Sequence, residues 1–152
     1  MLSPAETEFL KATASLPRDE DGLLAELGLR TILIRKQPSI AEKLVNNVSR
    51  HTIPMPPIKE LKKIGQQVLD AWNRELYKFT CLEKTEDEQE KKRLVTAIIG
   101  KDVTASAILT GILISAHLSP FAAPVVAELI VKLLVVPAER TLCDFWKEKL
   151  PA

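Results

Sequence analysis

The chain has 152 residues, of which 46% are hydrophobic, 27% charged and 5% aromatic, a globular composition long enough to bury a core without a cofactor or a staple. Its 21 basic and 20 acidic residues leave a formal charge of +1. That near-balance gives no overall attraction to nucleic acid or anionic lipid, so a nucleic-acid reader is disfavoured.

Ser3-Pro4-Ala5-Glu6 places a capping serine before a proline at the first helical position, with a glutamate spaced to reach back to the cap. A helix is predicted from there to about Leu16, where Pro17 stops it. Asp19-Glu20-Asp21 then puts carboxylates at the positive end of a second helix whose buried side is Leu23, Leu24 and Leu27. Gly28 either caps that helix or sits inside a longer one running to Lys36. Arg30-Thr31-Ile32-Leu33-Ile34-Arg35 has the composition of a strand but no second strand-like run to pair with, so the longer helix is the reading taken. After Pro38-Ser39, Ile40, Leu44, Val45 and Val48 recur at helical spacing up to Arg50.

His51 to Pro57 (HTIPMPP) is the strongest break in the chain and offers a sub-boundary. The residues before it hold too few large apolar side chains for an independent core, so a stiff connector within a single domain, 1–152, is expected. The longest helix is predicted from Pro57, with Ile58, Leu61, Val68, Trp72, Leu76 and Phe79 on one stripe. Lys59, Lys62, Lys63, Arg74 and Lys78 lie largely off it, a solvated basic face. Gly65 falls on or near the stripe and marks a close helix crossing, with a hinge as the other reading. Thr85 with Glu88 has capping-box spacing for a further helix. Leu94, Val95, Ile98 and Ile99 are its buried face, and Gly100 ends it.

The most apolar stretch is Val103 to Val136, whose only formal charges are Glu128 and Lys132, with His117 the one other titratable group. Asp102 caps a helix from Val103 to about Leu118, Ser119-Pro120 turns the chain, and Ala123-Pro124 starts a second helix that Pro137 ends. A last amphipathic helix from Ala138 carries Leu142, Phe145, Trp146 and Leu150 on one face. The predicted fold is an all-α bundle of about seven or eight helices, with the apolar hairpin at its centre and the longer amphipathic helices around it.

Catalytic and metal chemistry find little support. Cys81 and Cys143 stand alone in apolar company, with neither the density of a secreted disulfide scaffold nor zinc-site spacing, and are expected to be separate buried thiols in a reducing compartment. His51 and His117 form no metal-binding pair with them. His117 with Ser115, Ser119 or Cys143 lacks an elbow motif and an orienting carboxylate, and the glycines are scattered singly, so no phosphate loop exists. No metal, no cofactor and no enzyme activity are therefore expected, and with no leader-like N-terminus the expected location is cytoplasmic. Glu128 and Lys132, four apart with the acid first, suit an ion pair on the one wet edge of a buried helix.

The order of charged amphipathic helices followed by an apolar helical hairpin, over roughly residues 57–150, is similar in pattern to pore-forming bacterial toxin domains. No residue carries over from that similarity. It implies, as the alternative function, a membrane-active effector that inserts the hairpin 103–136. Val103–Leu118 and Pro124–Val136 each fall short of the roughly 20 apolar residues a spanning helix needs, so the leading expectation is a non-enzymatic protein–protein interaction module. An adaptor or regulatory subunit fits that description, with a protein partner or, most simply, a second copy in a homo-oligomer. The candidate contact residues are Phe145 and Trp146 on the last helix and Glu128 and Lys132 on the hairpin.

Overall fold

The computed structural model describes residues 3–4, 6–7, 16–36, 56–82, 88–137 and 140–151. Helix formation begins where the sequence places it. The Ser3 hydroxyl accepts from the Glu6 amide at 3.1 Å, and the Glu6 carboxylate accepts from the Ser3 amide at 3.0 Å, so the capping box is closed. The rest of that predicted helix up to residue 15, the helix predicted over 40–50, the Thr85 cap, His51 and most of HTIPMPP lie outside the described residues.

The described residues contain six α-helices and no strand: α1 (Glu20–Lys36), α2 (Ile58–Tyr77), α3 (Glu88–Ile99), α4 (Ala105–Ser115), α5 (Ala123–Leu133) and α6 (Leu142–Glu148). A π-helical segment, Lys78–Leu82, extends α2. The all-α class is as predicted. Six helices are seen against the seven or eight expected, and the missing elements fall on the undescribed stretches.

Gly28 lies inside α1, and the strand-like run after it is helical. The reason is packing. A Cβ at Gly28 would overlap the Leu61 carbonyl, and one at Gly65 would overlap that of Leu24. The two glycines thus let α1 and α2 cross backbone to backbone, the closest approach two helices can make. This crossing centres the buried ridge of α2 on Leu61, Gly65, Leu69 and Asn73, an i±4 row continued by Leu76. Ile58, predicted on the stripe, is consequently 68% exposed.

The hairpin α4–α5 is the middle of the main core. Leu109, Leu113, Val125, Val126 and Ile130 are essentially inaccessible, and Leu23, Leu27, Leu69, Leu76, Leu94 and Trp146 pack into the same cluster. Each such side chain contributes about 1.5–3 kcal/mol relative to exposure. At the end of α4, His117 adopts φ 75°, its amide bonds Ile114 O and that of Leu118 bonds Leu113 O, the paired bonds of a left-handed helix stop. Ser119 then accepts from Phe121 through its hydroxyl at 3.1 Å.

One polar clamp holds this turn. Arg30 of α1 is 2% exposed, pairs with Glu26 at 2.9 Å, donates to the Phe121 carbonyl at 3.0 Å and lies 4.8 Å from that ring's centroid. Both charges are buried, so each needs the other. No described helix is long and apolar enough to cross a membrane.

If the glycine crossing organises the bundle, Gly65→Ala should lower the unfolding free energy by about 3 kcal/mol or more, because backbone rather than a flexible side chain would have to move. Urea denaturation checks this. A loss below about 1 kcal/mol, the ordinary scale of a mild substitution, contradicts it.

Candidate functional site

The four residues singled out in the sequence do not meet in one place. Trp146 lies in the core at 0% exposure, where its indole nitrogen donates to Asn73 Oδ1 at 2.6 Å and its ring meets Tyr77 edge-on at 6.1 Å. It is therefore a packing residue, and the expectation that it faces a partner is corrected. The amphipathic pattern found its face, but the apolar side of α6 is turned onto α2. Phe145 is half-buried and has Lys149 and Arg140 over its ring, at 5.2 and 5.8 Å.

Glu128 is half-buried on α5, while Lys132 one turn later is exposed. Burial pushes the Glu128 carboxyl above its ordinary range, and the nearby Lys132 charge and a hydrogen bond with Ser106 of α4 partly oppose that rise. His117 stands just past the other end of α4, whose last residue, Ser115, is about 13.5 Å along the axis from Ser106 at 1.5 Å per residue. It is exposed, and no acid–base pair forms between His117 and Glu128. Among the described residues no group of histidine, cysteine and carboxylate side chains is arranged to hold a metal ion.

The two cysteines require a second correction. Cys81, in the π segment, and Cys143, in α6, are joined in a disulfide with Cα atoms 5.8 Å apart. Their 62-residue separation conceals the pairing in the sequence, and docking of α6 beside the end of α2 creates it. The expectation of separate thiols does not survive, and the reducing compartment loses the support it drew from them. Closing a loop of this length in the unfolded chain stabilises the fold by roughly 4 kcal/mol on chain-entropy grounds.

Two of the hollows on the described surface bear on function. The larger, about 470 Å³, lies between α2, the π segment, α3 and α4, with Trp72, Leu76, Phe79 and Ile112 as apolar walls and Glu75 and Glu90 contributing carboxylates. The smaller, about 160 Å³, lies at the open end of the hairpin, lined by Ile98, Lys101, Ala105, Val131, Leu134 and Val135. Val135, one of its walls, is 55% exposed, and Ile99 and Val103, which neighbour lining residues in the sequence, are 51% and 77% exposed. The turn that presents Val103 is fixed: Lys101 takes φ 54°, and Asp102 accepts from the Thr104 amide at 2.9 Å. That bond holds the Asp102 carboxyl below its usual range. The sequence names Gly100 as the stop of α3, whereas the left-handed position is Lys101, one residue later.

No known family, curated protein or solved structure matches this chain.

The Glu128 shift carries a sign. A carboxyl whose folded value is raised binds its proton more readily in the folded state, so its stabilising effect is present at low pH and is lost as pH rises through the folded value. Glu128→Gln should therefore be more stable than the parent at pH 7, with the difference vanishing below the ordinary carboxylate range. Thermal unfolding at the two pH values measures it, and an equal or less stable variant at pH 7 contradicts the assignment.

Proposed function

We propose that the chain is a non-enzymatic helical interaction module that pairs with a second copy of itself through the open end of the α4–α5 hairpin. The observation that carries this reading is the exposure of Ile99, Val103 and Val135 at or next to the residues that line the hollow there: Val135 is one of its walls, Ile99 follows Ile98, and Val103 stands two positions from both Lys101 and Ala105. They are three of the five large apolar side chains found exposed among the described residues. Keeping such surface in water costs about 25 cal/mol per Å².

A second copy suits the face because a two-fold contact must be self-complementary. The face holds both parts of such a contact: Val103 stands out at 77% exposure, and the adjoining hollow of about 160 Å³ is apolar on most sides. Lys101 lines the hollow and Asp102 follows it in the same turn, so both signs of charge stand next to each other there and two copies can set opposite charges against each other. A module of this kind acts as an adaptor or regulatory subunit, assembling partners rather than transforming a substrate.

Light scattering and sedimentation equilibrium test the proposal on the parent chain and on Val103→Asp. Val103 is exposed, so the substitution leaves the core untouched while burying a charge in any contact. The parent should dimerise, and the variant should associate at least tenfold more weakly, about 1.4 kcal/mol. A parent that stays monomeric at the highest soluble concentration contradicts the proposal, as does a variant that dimerises equally well.

A further inference from the structure

The chain carries two cysteines, and their bond joins two short elements, the π segment and α6. The π segment has no buried residue, and its Thr80 hydroxyl is shut from solvent without a hydrogen-bond partner. Helix α6 has seven residues, about half the length at which an isolated helix becomes even marginal in water. It exists only because it is docked. Its attachments are the buried Leu142 and Trp146, the Trp146 bond to Asn73, the Asn73 amide bond to the Lys149 carbonyl at 3.3 Å, and the disulfide. Helices α1, α2, α4 and α5 pack on one another without it.

We propose that the Cys81–Cys143 bond is a redox latch, opened by a dithiol reductant, that lets α6 leave α2 while α1–α5 stay folded. A static staple explains the geometry less well. A chain of this length that buries its own core has no need of a cross-link. Both cysteines are half-buried, so a small thiol can reach them. The latch also sits beside the larger cleft: Phe79, one wall of it, is two residues from Cys81 in the same segment. Releasing Cys81 frees that wall, so the redox state sets the shape of the cleft.

The chemistry balances. One thiolate of the reductant attacks a sulfur of the pair and expels the other as thiolate, giving a mixed disulfide. The second thiolate of the reductant displaces the protein sulfur and closes the oxidised dithiol. The protein gains two electrons and two protons as two thiols, and the reductant loses the same.

The test is limited trypsin digestion, read by mass spectrometry, of the full chain oxidised, treated with dithiothreitol, and carrying Cys143→Ser, with far-UV circular dichroism and a thiol titration alongside. Lys147 lies in α6 and Lys132 in α5, so the two report on the latch and on the core. Reduction, and Cys143→Ser without reductant, should each raise cleavage after Lys147 by about tenfold or more, because cleavage follows the population of the open form. The helical signal should be nearly retained and residues 105–133 should stay uncut. Unchanged cleavage after Lys147 with both thiols free would show that α6 needs no latch and overturn the proposal. Cleavage that rises equally after Lys132, with loss of the helical signal, would show a staple for the whole fold and overturn it as well.

Discussion

Everything in this structure follows from the need to keep the hairpin α4–α5 out of water. A helix with a single apolar stripe can lie on a surface, but α4 buries residues at nearly every position from Ala105 to Leu113 and must be enclosed. The enclosure is built chiefly from α1, α2 and α3, with α6 closing against α2. Amphipathic helices are laid on a hydrophobic centre, and their charged faces are left to the solvent. The glycine crossing of α1 and α2 is what makes this cover tight, since two helices held apart by side chains at residues 28 and 65 could not both reach the hairpin in their present positions.

Enclosing an apolar hairpin leaves its two ends as separate problems. The closed end, at Ser119–Ala122, is solved with polar chemistry: a serine hydroxyl, a left-handed stop and the buried Arg30 clamp satisfy backbone groups that the turn would otherwise bury unpaired. The open end is left apolar, with Val103 and Val135 in solvent, and this asymmetry is why the interaction proposal is placed there. The side of the hairpin is polar at one point, where Ser106 meets Glu128. Desolvation costs that carboxylate something, and its partners return part of the loss.

Much of the fold was legible in the sequence because it is written in local signals. Capping at Ser3 and Glu6 and the buried Leu23, Leu24 and Leu27 depend on residues a few positions apart, and the place of Gly65 on its stripe marks a close crossing without showing that Leu24 is what it meets. Asp102 is expected from the sequence to cap a helix from Val103, whereas α4 begins at Ala105 after Thr104. The other failures are long-range. Nothing near Cys81 announces Cys143, 62 residues away. Nothing near Trp146 announces Asn73, the buried amide that satisfies its indole and makes it a core residue. Arg30 looks like an ordinary helix-surface charge until the Phe121 carbonyl arrives beside it. The candidate contact residues shared this weakness: helical spacing gives the apolar face of a helix but not whether the chain itself covers that face. Of the open-end patch, the run 103–136 signalled its apolar character, whereas the turn that exposes Val103 needed the backbone at Lys101.

The central claim is that the hairpin is the chain's own core, and amide hydrogen exchange measured along the full chain tests it most directly. Amides of 107–113 and 125–130 should be the slowest in the protein, exchanging only through global unfolding, and lipid vesicles should leave them unchanged. If those amides exchange as fast as the ends of α3 and α6, or gain protection only when vesicles are added, the hairpin is not enclosed by this chain and the account is contradicted.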